Sequence, residues 1–167
     1  MSDTIASDLD IALQKKYHQD LVFNYSEYPT KDHWSSDFLG DQCKSAILDW
    51  FPKNRDEKIF FYVHIPFCEE LCYFCTCSKA ITSDYSRVSE YLEHLHLEID
   101  LLFEFLRENQ IDLNVGTVFF GGGSPTILSR GDLELLVEKL RGLFDWSTVK
   151  FFTIESDPRR VDEERLI

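Results

Sequence analysis

Three apolar runs, separated by two long stretches of helical period, constrain the fold of this chain more than any other feature. Ile59-Phe-Phe-Tyr-Val-His-Ile65 is β-branched and aromatic and stops at Pro66, which predicts a strand buried on both faces in a parallel sheet. From about Asp84, the residues Val88, Leu92, Leu95, Ile99, Leu102, Phe103 and Leu106 recur at steps of three and four, predicting a long amphipathic helix. Val115 to Phe120 predicts a second buried strand, which runs into a turn at Gly121-Gly-Gly-Ser-Pro-Thr126. Leu133, Leu136, Val137, Leu140, Leu143 and Phe144 predict a second helix. It is entered near Ser129, with Asp132 and Glu134 favourable in its first turn. Val149 to Glu155 predicts a third strand ended by Asp157-Pro158, and a third helix is expected from Val161.

Strands alternating with helices make crossover units around a parallel sheet. A complete eightfold barrel takes about 250 residues. Residues 58–167 therefore predict an α/β fold, a partial (β/α) barrel of roughly three units, and the chain reads as truncated. Residues 1–57 hold no lasting period except around Ile5 to Tyr17 and a candidate helix over 37–51, so a mostly helical or irregular arm is expected there. In such folds chemistry sits just past the carboxyl ends of the strands. The cysteines after the first strand, the glycines after the second and Glu155 at the end of the third thus fall on one rim.

Cys68, Cys72, Cys75 and Cys77 crowd one loop, while Cys43 stands alone. A structural zinc site draws its four ligands from two separated pairs, and no second pair exists here. Three cysteines spaced Cys-x3-Cys-x2-Cys suit three corners of an iron–sulfur cubane, whose fourth iron is then open to a ligand. Zinc and plain unligated thiols remain the other readings of the spacing. The chain is acidic, with 17 Lys and Arg against 30 Asp and Glu and a net charge of −13. That field repels nucleic acid and anionic membrane. No apolar run approaches the roughly 20 residues of a membrane span, and the N-terminus carries no signal-like region. A cytoplasmic protein with reduced thiols is expected.

The cysteine spacing, with Phe74 just before the third cysteine, resembles the signature of the radical S-adenosylmethionine enzymes. Several further motifs resemble the oxygen-independent coproporphyrinogen III oxidases. These are Tyr62-Val-His64-Ile-Pro66-Phe67-Cys68, Cys77 in Cys75-Thr-Cys77, Gly121-Gly-Gly-Ser-Pro-Thr126, Ile154-Glu155-Ser-Asp157-Pro158-Arg159, and Tyr28-Pro29-Thr30 in the arm. The sequence departs from that pattern in Ser124, where threonine is more usual, in Ser156, where valine is commoner, and in the basic pair Arg159-Arg160.

The resemblance implies a 4Fe–4S cluster on Cys68, Cys72 and Cys75, and S-adenosylmethionine on its open iron. One-electron cleavage of that cofactor would yield a 5′-deoxyadenosyl radical that takes hydrogen from a propionate. Loss of carbon dioxide then leaves a vinyl group, twice over on coproporphyrinogen III, giving protoporphyrinogen IX for haem synthesis. It also implies an electron-donor protein such as flavodoxin or ferredoxin, and a monomer. Implied cofactor contacts are Tyr62, Phe74, Gly121, Gly122, Gly123, Ser124 and Glu155. Core packing for Tyr62, a plain turn for the glycines, and pairing of Glu155 with Arg159 or Arg160 are the structural alternatives. His64 reads equally as a core or a functional residue. Cys77 belongs to the surroundings of the site, Arg159 and Arg160 read as solvated surface, and the aromatic stretch Phe23 to Trp34 would cover the mouth. A haem-degrading radical methyltransferase and a cluster-bearing haem chaperone are the alternative functions. An unpaired third strand predicts that the chain by itself is poorly soluble or unstable, and inactive.

Overall fold

The computed structural model describes residues 35, 37, 39–75, 77 and 79–161. The helix expected over Ile5 to Tyr17, the Phe23–Trp34 stretch with Tyr28-Pro29-Thr30, and the continuation of a helix beyond Val161 lie outside the described residues. The described residues fall into two units, one up to Ser45 and one from Ala46. Helix α1 (Gly40–Trp50) buries none of its residues.

Strands β1 (Ile59–Ile65), β4 (Val115–Gly122) and β5 (Phe151–Ile154) form a parallel sheet in the order β1-β4-β5. Helix α2 (Tyr85–Glu108) connects β1 to β4, and α3 (Arg130–Arg141) connects β4 to β5. The expected α/β arrangement, a parallel sheet joined by crossover helices as in part of a barrel, is therefore present. Each helix starts where its capping residue dictates. Asp84 accepts from the Ser86 N–H at the head of α2, and Ser129 from the Asp132 N–H at the head of α3. Tyr85 ties the two helix starts together, accepting from the Ser129 N–H (2.7 Å) and donating to Asp132 Oδ2 (2.5 Å).

One face of the sheet packs on these helices. Val63, Ile65, Val118 and Phe120 are buried with Val88, Leu92, Leu95 and Ile99 of α2 and Leu136 and Leu140 of α3. Each such side chain contributes about 1.5–3 kcal/mol by leaving water. The opposite face differs from the two-sided burial expected of these strands: Phe60 is 60% exposed and Phe151 66%. The reason is that both described crossover helices lie on the same side, as in a barrel wall, so residues of the other parity point to the concave side. There Phe119 lies against Phe60 and stacks on Tyr62, with ring centroids 5.8 and 5.9 Å apart.

Two short strands, β2 (Phe67–Cys68) and β3 (Ala80–Ile81), were not legible in the sequence. They pair in parallel and clamp the base of the cysteine loop. Ala80 N–H donates to Pro66 O (2.6 Å) and Thr82 N–H to Cys68 O (2.9 Å).

Candidate functional site

The loop between β2 and β3 brings the cysteines together. Cys68 ends β2, and a turn closed by the Cys75 N–H on Cys72 O (3.1 Å) follows, with Lys79 Nζ on Cys75 O (3.2 Å). All the described cysteines are free thiols. Burial, followed by the charges of Cys75 and Cys72, pushes the Cys68 thiol above its ordinary value. A hydrogen bond from the Cys77 backbone draws the Cys75 thiol down, assisted by Lys79. Burial and the charge of Cys75 raise the Cys77 thiol. These sulfurs share one field and repel one another as thiolates, so a cationic centre is what would let them ionise together. Among the described residues no three His, Cys, Asp or Glu side chains converge closely enough for a single metal ion. A cubane gives each thiolate its own iron and so needs no such convergence, and three thiolates on one short loop fit it.

The glycine run lies against this loop. Gly121 and Gly122 belong to β4 and the turn begins only at Gly123, so the strand runs two residues beyond the Phe120 end expected for it. Pairing continues to the rim, with His64 opposite Gly121 and Ile65 opposite Gly122. Gly122 adopts φ +113°, where a side chain is strained, and a Cβ there would lie 2.5 Å from the His64 ring. A Cβ on Gly123 would lie 2.4 Å from Phe67 O and 3.0 Å from Cys68 Sγ. The close approach is fixed by Gly123 N–H on Ile65 O and Ser124 N–H on Phe67 O, both 2.8 Å.

Glu155 follows β5. Its N–H donates to Phe120 O (2.9 Å), and its Oε2 accepts from the Gly122 N–H (3.2 Å). Its carboxylate thus faces the glycines, while Arg159 turns to Asp157 and Glu70, and Arg160 to Glu69 and Glu70. Tyr62 is 47% exposed on the concave face, which removes the core-packing alternative. Its hydroxyl shares a hydrogen bond with His64 Nδ1 (3.1 Å). Burial, then the charges of Glu155 and Cys77, raise its phenol. The Ser124 hydroxyl is engaged inside the protein, accepting from the Asp157 N–H (3.2 Å) and pairing with Thr126 Oγ1 (3.1 Å).

The structure therefore gathers Cys68, Cys72, Cys75, Cys77, Tyr62, His64, the three glycines, Ser124 and Glu155 on one rim. It does not bring Phe74 to them: that ring is 88% exposed on the loop. The sequence reading missed the grip of the β5 exit on the cysteine loop. Arg159 Nη2 reaches Cys72 Sγ at 3.5 Å, and Arg160 binds Glu70 and, at 3.4 Å, Glu69. The facing pairs Glu69-Glu70 and Arg159-Arg160 were the available signal.

Comparison with known proteins agrees with this geometry. Residues 62–167 match the Radical SAM superfamily. The chain is 34% identical over 155 residues to the oxygen-independent coproporphyrinogen III oxidase of Salmonella typhimurium, covering 93% of this chain and 32% of that protein. It is 34% identical over 149 residues to the protein of the same name from Mannheimia haemolytica, covering 89% of this chain and 96% of the relative. The solved coproporphyrinogen III oxidase of Escherichia coli, a radical SAM enzyme, superposes with a TM-score of 0.70 at 31% identity, over 92% of this chain and 32% of that one. The chain belongs to the radical SAM superfamily and, within it, to the oxygen-independent coproporphyrinogen III oxidase family. The superfamily's 4Fe–4S cluster and S-adenosylmethionine are accordingly its cofactors. It spans about a third of the length of several curated relatives, 32% of the Salmonella protein. No described helix is long and apolar enough to cross a membrane.

Proposed function

We propose that this chain carries the cluster- and cofactor-binding part of an oxygen-independent coproporphyrinogen III oxidase, acting on coproporphyrinogen III in haem synthesis. The observation that carries the reading is the contact between the cysteine loop and the glycine run, where Gly123 lies against Phe67 and Cys68. Cys68, Cys72 and Cys75 would hold the cluster and leave one iron without a protein ligand. Gly121 to Gly123 let Glu155, His64 and the Phe67–Cys68 segment close on the backbone, and Glu155, braced by the Gly122 N–H, would offer the amino end of S-adenosylmethionine a carboxylate. When bound, these cofactors supply one-electron cleavage and hydrogen abstraction, which leads from a substrate propionate to a vinyl group and carbon dioxide. Phe60, Tyr62 and Phe119 line the concave face with aromatic rings, and the shared Tyr62–His64 hydrogen bond fixes both polar groups at the rim. A flavodoxin- or ferredoxin-like donor, a monomeric state and a cytoplasmic setting complete the proposal, the last supported by the free thiols and acidic charge.

The test is anaerobic product analysis with coproporphyrinogen III and S-adenosylmethionine, using the chain reconstituted with iron and sulfide and supplemented with the remainder of a relative's barrel. Divinyl product with release of carbon dioxide supports the reading. Ring-opened tetrapyrrole, or cofactor cleavage with the propionates intact, refutes the substrate assignment.

A further inference from the structure

We propose that Arg159 is a positioning residue that acts through Cys72, donating an N–H to its sulfur and so raising the reduction potential of the bound cluster. The inference rests on Cys72 being a cluster ligand, as read above. Arg159 Nη2 lies 3.5 Å from Cys72 Sγ, within reach of an N–H···S bond. The guanidinium is held in place from two directions. Asp157 Oδ1 accepts from its Nε (2.9 Å) and from its backbone N–H (3.0 Å), and Oδ2 accepts from Nη2 (2.6 Å). Glu70, within the cysteine loop itself, stands 3.8 Å from Nη1. Asp157 is anchored in turn by its own N–H on Ser124 Oγ (3.2 Å), and Ser124 by its N–H on Phe67 O (2.8 Å), the residue before Cys68. The exit of β5 therefore reaches the loop directly at Cys72 and, through Ser124, at Phe67 beside Cys68.

Two other roles for Arg159 are weaker on the same geometry. Recognition of a substrate carboxylate would need a free fork, but Asp157 already occupies the Nε and Nη2 edge. The ion pair that would tie Arg159 to the loop, with Glu70, is weak, because the two side chains are 52% and 51% exposed and stand 3.8 Å apart, and solvent screens such pairs; the closer pair with Asp157 is local to the β5 exit. What remains is the bond to sulfur. Hydrogen bonds to cluster sulfurs are one of the protein's main levers on potential. A cationic donor draws charge from the ligand and favours the reduced cluster, which carries one more negative charge.

The experiment is a redox titration of the reconstituted cluster, followed by electron paramagnetic resonance, in the wild type and in Arg159→Gln, Arg159→Leu and Arg159→Lys, with iron and sulfide measured on each sample. The expected result is wild-type iron content with the midpoint shifted to lower potential in Gln and further in Leu, and returned toward wild type in Lys. A residue that merely braces the loop would change iron content and leave the potential alone. Wild-type iron and an unshifted midpoint in Arg159→Gln overturns the proposal, and that variant decides the matter should Arg159→Leu fail to take up iron. A wild-type chain that takes up no cluster overturns the ligand assignment itself, which distinguishes the two failures.

Discussion

Replacing Gly123 by alanine tests how the cysteine loop is held to the sheet. The new methyl would lie 2.4 Å from Phe67 O, 2.8 Å from its carbonyl carbon and 3.0 Å from Cys68 Sγ. Phe67 is a backbone segment of β2, paired with β3, and cannot swing aside as the end of a long side chain would. Overpacking of this kind costs about 1–3 kcal/mol. Separating the seam also weakens the bonds from Gly123 N–H to Ile65 O and from Ser124 N–H to Phe67 O, each contributing about 1 kcal/mol. The expected loss is about 3 kcal/mol in total, which at about 2–4 °C per kcal/mol lowers the midpoint by about 10 °C. Gly131→Ala is the opposite case. Gly131 lies in the first turn of α3 with nothing within 4 Å of a Cβ, so alanine should stabilise by up to about 1 kcal/mol. Unfolding followed by circular dichroism, then iron uptake after reconstitution, reads both variants. A Gly123→Ala chain with a wild-type midpoint and full iron would refute the packing argument.

The end of α2 offers a second test. Gln110 holds φ 56° in a Schellman closure, with Ile111 N–H on Leu106 O (2.9 Å) and Gln110 N–H on Arg107 O (3.2 Å). Gln110→Gly should therefore stabilise by about 1 kcal/mol, and a lowered urea midpoint would contradict this. Hydrogen bonds from Ser86 hold the Asp84 carboxyl below its ordinary 3.8 in the folded chain. Since its pKa falls on folding, its contribution to stability is complete above 3.8 and is lost as pH drops below that value. Asp84→Asn should flatten this acid limb in pH-dependent unfolding, and an unchanged limb would argue against the cap. Alanine at Cys68, Cys72 or Cys75 should each abolish cluster uptake while Cys43→Ala leaves it intact, as read by iron analysis; full iron in any of the first three would remove that residue from the ligand set.

The elements whose periods were long and uninterrupted were legible in the sequence. Ile59–Ile65 formed as read, and both large helices began at the capping residues Asp84 and Ser129. The co-location of the cysteines, glycines and Glu155 on one rim followed from the parallel topology alone, because strand ends on one side of such a sheet are neighbours whatever their sequence separation. Burial of the strands was over-read. An aromatic run such as Phe60 to Tyr62 has the same composition whether its second face meets a helix layer or a barrel interior, and only the placement of α2 and α3 decides between them. The β2–β3 clamp escaped notice because two-residue strands carry no period. Arg159 read as solvated surface because Glu70 and Cys72, nearly ninety positions away, meet it only through tertiary structure, while its bonds to Asp157 are local.

Three thiolates of one loop are proposed to hold a cubane with an iron left for S-adenosylmethionine. The most direct measurement is the electron paramagnetic resonance spectrum of the anaerobically reconstituted, reduced chain, recorded before and after adding that cofactor. A 4Fe–4S signal whose shape changes on addition is expected. A colourless protein, a zinc-only protein, or a cluster spectrum indifferent to S-adenosylmethionine would contradict it.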